Sequence, residues 1–125
     1  MAQEILVGKD LETGRELIDF LKRRNFDFHH VFWLFREERE RWQLVIITPL
    51  VDQKGFLKTY EALVEGIRNT SFSAEIRNLT LLSPNNKYSK GINETLKKYP
   101  MDSDLHEKGI VLGGIYYDGV YIYKN

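Results

Sequence analysis

The 125-residue chain contains no cysteine and only three prolines. The absence of cysteine excludes disulfides, thiolate nucleophiles and cysteine-based zinc sites, and it is compatible with a reducing compartment. The beginning of the chain lacks the basic region, apolar stretch and cleavage site of a signal peptide. The longest apolar runs, VFWLF and LVII, are far shorter than the roughly 18 to 20 residues that cross a bilayer. These absences favour a cytoplasmic protein with no membrane partner.

The chain also lacks an excess of charge of either sign, because eighteen basic residues balance eighteen acidic ones. Proteins that bind nucleic acid through its phosphates usually carry an excess of positive charge. The composition therefore does not indicate such a partner, although a local patch at Lys22, Arg23 and Arg24 keeps nucleic-acid binding open. What the chain does contain is 13% aromatic residues, which argues against disorder.

Apolar periodicity predicts the order helix, two strands, helix, strand, helix and two final strands. The first helix begins with Asp10 as its N-cap and ends at Asn25 in a left-handed conformation. A second helix follows Asp52, and a third follows SPNN at 83–86. Because this order does not alternate as a doubly wound fold does, we expect one α+β domain over residues 1–125. Its sheet should be largely antiparallel, with about five strands packed against two or three helices.

Residues 28–48 read as a hairpin of two strands rich in aromatic and β-branched residues. Pairing Phe35 with Trp42 sets a register in which both faces of the hairpin are mostly apolar. Such a pair needs a cover on each face, either helices on both sides or helices on one side and a partner chain on the other. The second alternative predicts a homodimer or another protein partner. The hairpin tip, REERER at 36–41, sums to zero charge and predicts a solvated turn.

The chain ends in GGIYYDGVYIYKN, which holds four of its seven tyrosines. A type I′ turn at Asp118-Gly119 places Tyr117 on the apolar side of a hairpin, with Ile115, Val120 and Ile122. A turn at Gly113-Gly114 is the alternative; it pairs Val111 with Tyr116 and makes Asp118-Gly119 a bulge. We favour the first, because Asp-Gly is the stronger hairpin signal.

The other three C-terminal tyrosines share the opposite face in the favoured register. They are the candidate interface residues Tyr116, Tyr121 and Tyr123. Tyrosine is enriched at protein interfaces because it buries a large area while its hydroxyl stays hydrogen-bonded. This face therefore predicts a protein contact.

Three polar residues in MDSDLHEKG are candidates for a metal site. Asp102, Asp104 and His106 repeat every second residue and would share a face in an extended segment, where they could hold a divalent cation. The segment lacks the glycine and the distal glutamate of a calcium loop. We expect an exposed turn there, with no metal and no cofactor.

Asp52 and Lys54 in VDQKG follow a predicted buried strand, which is similar to the acid-x-lysine element of restriction-endonuclease-like nucleases. That resemblance implies a divalent-metal nuclease or phosphodiesterase in which Asp52 and Lys54 are catalytic and Glu12, Glu16 or Asp27 supplies a second acid. Capping of the following helix is the structural alternative for Asp52, and it is sufficient to explain an aspartate at this position.

The ending GIYYDGVYIYKN and the segment WQLVIITPLVDQKG resemble those of small uncharacterised bacterial proteins that finish in a tyrosine-rich strand. The resemblance covers the second strand of the first hairpin and the last dozen residues, and it implies no activity. The sequence has no GxxxxGK[ST], GxGxxG or GxSxG motif. We therefore interpret the chain as a small non-catalytic bacterial protein that acts through protein association. A metal-dependent nuclease and a nucleic-acid-binding module are the alternatives.

Overall fold

The structure is a computed structural model. It describes residues 8–36, 41–73, 76, 79–98 and 102–124. Residues 37–40, the middle of REERER, lie outside these ranges, so the solvated turn stays a prediction. None of the described helices is long and apolar enough to cross a membrane.

Four helices and five strands follow one another in the described part of the chain. The helices are α1 (Gly8–Arg23), α2 (Leu50–Lys54), α3 (Phe56–Arg68) and α4 (Lys87–Lys98). The strands are β1 (His30–Arg36), β2 (Arg41–Ile47), β3 (Leu79–Leu82), β4 (Leu105–Leu112) and β5 (Ile115–Ile122). This order confirms the predicted α+β class.

The five strands form one sheet in the order β3-β2-β1-β5-β4. β1 pairs antiparallel with β2 and β5, β5 pairs antiparallel with β4, and β2 pairs parallel with β3. A parallel neighbour requires a crossover connection, which α2 and α3 supply between β2 and β3. The predicted register of the first hairpin is confirmed, with Phe35 opposite Trp42 and Trp33 opposite Leu44.

One face of the sheet is covered by α1 and α3. The core on this side contains Leu17 and Leu21 from α1 and Leu63 from α3, packed with Trp33 and Leu44 of the sheet. The periodicity of α1 therefore predicted its buried face correctly. Burying side chains of this size contributes about 1.5–3 kcal/mol each, which makes this packing the main source of stability on this side.

The other face is covered by α4. Ile92 is fully buried and Leu96 is partly buried against Phe32, Val45 and Ile122. The chain thus covers both faces with its own helices, which is the first of the two alternatives raised by the apolar hairpin. The surplus of apolar sheet surface consequently no longer indicates a partner chain.

The stop of α1 follows the predicted local signal, whereas its start does not. The helix begins at Gly8, so Asp10 lies in its first turn and does not cap it. A carboxylate there still interacts favourably with the positive end of the helix dipole. Asn25 follows the helix with φ +54°, which confirms the predicted left-handed stop.

The second predicted helix is two helices, because Gly55 interrupts it with φ +89°. Asp52 lies inside α2 and is not its cap; the Thr48 hydroxyl instead accepts a hydrogen bond from the Leu50 N–H at 3.1 Å. The Thr59 hydroxyl donates to the carbonyls of Gly55 and Leu50, at 2.8 and 3.0 Å. These bonds hold the end of β2, α2 and α3 together.

The last two strands are joined at Gly113 and Gly114, so the favoured turn at Asp118-Gly119 was wrong and the alternative is correct. Both turn glycines have positive φ, +59° and +80°, as a two-residue hairpin turn of the favoured type requires. Gly119 instead lies within β5, where an added Cβ would be 2.9 Å from Cη2 of Trp42. Packing of the Trp42 ring on this glycine therefore overrides the local turn signal.

The expected bulge is absent from the described register of β4 and β5, because Lys108–Gly119 and Ile110–Tyr117 are pairs of one continuous ladder. Between these two pairs, the alternation of side chains between the two faces of the sheet nevertheless shifts by one residue. Gly109, with φ +60°, lies at this point. Residues on both sides of this point consequently reach the core under α4. The predicted apolar side of the strand is confirmed, and its members are Ile115, Tyr117, Val120 and Ile122.

A contact between two glycines positions α4 on the sheet. The Gly91 backbone of α4 packs directly against the Gly113 backbone of the turn. A Cβ on Gly91 would lie 2.9 Å from Cα of Gly113, which is closer than packed backbone atoms tolerate. A glycine inside a helix usually lowers its stability, but position 91 requires glycine because α4 approaches the hairpin so closely there.

Gly91→Ala should destabilise the protein by about 1–3 kcal/mol through overpacking. A helix-interior glycine changed to alanine would otherwise gain about 1 kcal/mol. Gly8→Ala is the matched control, because no described atom lies within 4 Å of an added Cβ there. Urea unfolding of both variants measures the difference, and a Gly91→Ala protein as stable as Gly8→Ala would contradict the contact.

Candidate functional site

The four C-terminal tyrosines do not share one surface. Tyr117 is 1% exposed and points inward as predicted. Tyr123 is 0% exposed, so the expectation that it faces outward was wrong. Tyr121 is half-buried, and only Tyr116, 58% exposed, is open to solvent.

Tyr123 is buried because α1 packs over its ring. Its hydroxyl accepts a hydrogen bond from Nε1 of Trp33 at 2.8 Å and donates one to the Leu11 carbonyl at 2.9 Å. Gly14 lies directly above the hydroxyl, and a side chain at that position would overlap it. Burial raises the pKa of Tyr123 far above its ordinary range. The residue joins β5 to α1 and β1 and is not accessible for binding.

Asp104 is the centre of a second polar cluster, at the start of β4. One carboxylate oxygen accepts hydrogen bonds from the Tyr121 hydroxyl at 2.8 Å and from Arg15, and the other accepts from the Lys124 N–H at 2.8 Å. Burial alone would raise the pKa of Asp104. The bonds from Lys124 and Tyr121 and the charge of Arg15 outweigh burial and hold that pKa below its ordinary range. The end of the chain is thereby tied to α1.

Two of the three candidate metal ligands, Asp104 and His106, have side-chain contacts to other residues. Asp104 uses both oxygens in the cluster just described, and the His106 ring packs against Tyr121 with centroids 5.3 Å apart. Asp102 is exposed, and its carbonyl accepts a hydrogen bond from Nζ of Lys124 at 2.8 Å. Among the residues that the structure describes, no three acidic or histidine side chains are grouped so that they could hold a metal ion.

Asp52 and Lys54, the candidate catalytic pair, lie on the exposed helix α2. The Asp52 carboxylate accepts hydrogen bonds from the Ser83 hydroxyl at 2.7 and 2.8 Å and from the Asn85 side-chain amide at 3.1 Å. Both partners are neutral, and they belong to the turn that precedes α4. Asp52 therefore has a structural role in joining α2 to this turn.

Large apolar side chains are exposed at two places in the described chain. The hairpin patch consists of Val111 and Tyr116, which are directly opposite each other on β4 and β5. The helix patch consists of Phe56 and Leu57 at the start of α3, where the Phe56 ring stacks on Tyr60 with centroids 5.7 Å apart. The apolar spacing of α3 is typical of a buried helix face, yet Phe56 and Leu57 are exposed. The break at Gly55, which periodicity does not detect, exposes them.

Comparison with protein-family models, with curated proteins and with solved structures gave no match. No role can therefore be transferred to Tyr116 or Asp104 from a relative. Exposure, contacts and charge divide the candidate residues into two groups. Tyr123 and Asp104 are engaged within the fold, whereas the hairpin patch is exposed.

Tyr123→Phe should lower the free energy of unfolding by about 1–3 kcal/mol, because the buried Trp33 N–H loses its acceptor. Tyr116→Phe is the matched control, and its exposed hydroxyl should matter by less than about 0.5 kcal/mol. Chemical denaturation of both variants measures the effect. Equal stability of the two would contradict a structural role for the Tyr123 hydroxyl.

Asp104→Asn should lower stability at neutral pH by about 1–3 kcal/mol, because it removes charge-assisted hydrogen bonds to a carboxylate that is only 13% exposed. The folded pKa is depressed, so this contribution is complete above the ordinary pKa of about 3.9 and disappears as pH falls through the folded value. Wild type and variant should therefore converge in stability below about pH 4.

Two control variants distinguish the effect of the Asp104 carboxylate on stability from the effects of other charged groups nearby. Asp102→Asn makes the same chemical change at an exposed site and should have little effect at any pH. Arg15→Gln should cost less than about 1 kcal/mol, because the arginine side chain is 56% exposed and its ion pair is screened by water. Denaturation curves from pH 2 to 8 give all three profiles, and a gap for Asp104→Asn that does not change with pH would count against the assignment.

Proposed function

We propose that this protein acts by protein association and that the hairpin patch is the centre of the contact. The observation that carries the proposal is the exposure of Val111, 60%, and Tyr116, 58%, as a directly opposed pair. A tyrosine buries a large area for little loss of side-chain freedom, and a few such residues supply most of the binding energy of an interface. The remaining area comes from the polar residues around the patch.

The position of the patch favours docking of side chains. β4 is an edge strand of the sheet, so one side of its backbone has no strand beside it among the described residues. Lys108 is exposed near its middle, and Gly109 with φ +60° departs from strand geometry. Charged residues and local irregularities of this kind protect edge strands against indiscriminate pairing. The partner therefore contacts the apolar pair and does not extend the sheet along the whole of β4.

A second copy of the chain is the partner that the charge balance favours. Equal numbers of acidic and basic residues leave no net repulsion between two copies. A two-fold dimer uses the same patch of both copies, so the apolar pair of each copy packs against that of the other. A homodimer thus uses one apolar pair twice and requires no further ligand.

The nucleic-acid alternative receives less support from the contacts near the tyrosines. Stacking of bases on Tyr121 would require a basic groove beside it. Two cations of the Asp104 cluster are engaged, since Arg15 pairs with Asp104 and Nζ of Lys124 donates to the Asp102 carbonyl. Of these two charges, that of Arg15 is balanced by Asp104 within the fold.

Val111→Ser with Tyr116→Ser should weaken the dimer by about 3 kcal/mol, about a hundredfold in Kd, because both large apolar contacts are lost. Sedimentation equilibrium from 1 to 500 μM measures the mass, which should approach twice the 14.8 kDa of one chain for the wild type. The matched control is Phe56→Ser with Leu57→Ser, which removes the other exposed apolar pair and should leave the mass unchanged.

Two results would overturn this proposal. A wild-type chain that remains a monomer throughout the concentration range excludes the homodimer. Dissociation by the Phe56 and Leu57 changes, with no effect of the Val111 and Tyr116 changes, would assign the contact to the helix patch. Circular dichroism of both double variants confirms that the mutated chains are folded.

A further inference from the structure

A cleft of about 280 Å³ lies between α4 and the sheet. Its floor is formed by side chains of β1, β2, β3 and β5, and its wall by Tyr88 and Ile92 of α4. The cleft is separate from both exposed patches, because neither contributes a residue to its lining.

The arrangement of the helices explains why this cleft exists. The opposite face of the sheet is covered by α1 and α3, whereas α4 is the one helix on this face among the described residues. The contact of Gly91 with Gly113 holds α4 toward the β4–β5 hairpin. The sheet surface farther along, at Leu34, Gln43 and Thr80, is therefore only half-buried. The opening is a consequence of glycine packing elsewhere in the same helix.

The lining combines an apolar floor with neutral polar groups. Phe32, Val45 and Ile92 are at most 2% exposed and form the apolar part. Gln43 and Thr80 contribute an amide and a hydroxyl that can donate or accept hydrogen bonds. None of the described residues that line the cleft is charged. The lining itself offers a charged ligand no counter-charge to offset its lost hydration, whereas a neutral ligand loses less hydration on entering. The ammonium of Lys87 lies outside the lining, 5.2 Å from the centroid of the Tyr88 ring.

We propose that this cleft binds a small neutral molecule with a flat apolar body and one or two hydrogen-bonding groups. The flat body lies between the sheet and α4, and its polar group reaches Gln43 or Thr80. A dry cavity of about 150 Å³ holds benzene, so this cleft accommodates a body of about two fused rings. The site is independent of the association proposed above.

A matched pair of probes tests the class of ligand. The neutral probe is 2-naphthol, and naphthalene-2-sulfonate has the same ring system with a permanent negative charge. Each probe is titrated into the full chain while the NMR chemical shifts of the backbone amides are recorded. The titrations should show one site for 2-naphthol and at least tenfold weaker binding of the sulfonate. The largest shifts should fall in β1, β2 and α4.

Two variants test the location of the site. Gln43→Glu places a carboxylate on the lining with little change of shape and should widen the preference for 2-naphthol over the sulfonate at least tenfold, because the carboxylate repels the sulfonate. Thr80→Trp fills the cleft without adding charge and should abolish binding. Gln53→Glu makes the same glutamine-to-glutamate change on the exposed surface of α2 and should have no effect on binding.

Three outcomes would overturn the proposal. They are equal binding of the two probes, binding unchanged by both Gln43→Glu and Thr80→Trp, and shifts that cluster around Tyr60 and Val64. The last result would assign the ligand to the separate opening beside α3, of about 370 Å³. Amide spectra of the free variants establish that they are folded, so a loss of binding reports on the cleft.

Discussion

The central strand β1 is apolar on both faces, and most of the structure follows from the need to cover it. Val31 and Trp33 are buried under α1 and α3, and Phe32 is buried under α4. A strand of this kind is stable only between two strands and two layers of helix, because apolar area left in water costs about 25 cal/mol per Å². The crossover through α2 and α3 and the return of β5 beside β1 both serve that burial.

Glycines determine how closely the layers approach the sheet. Gly14 admits the Tyr123 ring beneath α1, Gly91 admits the turn at Gly113 beneath α4, and Gly119 lies under Trp42. Each contact joins segments that are far apart in the chain. The same contacts determine the exposure of the C-terminal tyrosines, because Tyr123 is covered by α1 whereas Tyr116 is exposed. Placement of α4 against the turn also leaves the cleft beside it.

Local patterns were sufficient for several parts of the fold and failed for others. The order of the elements, the register between Phe35 and Trp42 and the stop at Asn25 were predicted from apolar spacing and residue preference. The turn at Gly113 and the burial of Tyr123 were not, because both depend on helices that pack from distant positions. The candidate metal and catalytic residues could not be assessed from spacing either, since Asp104 and Asp52 are occupied by partners from other elements.

The sequence by itself determined which segments are helices and strands, that both faces of the first hairpin are buried, and that the chain has no net charge. These properties depend on neighbouring residues and on composition, which act over short distances along the chain. Only the tertiary structure decided which glycine pair forms the last turn, which tyrosine is exposed and where the sheet stays open. Those features arise where α1 and α4 meet the β4–β5 hairpin, and the close approach of non-neighbouring residues there outweighs local preference.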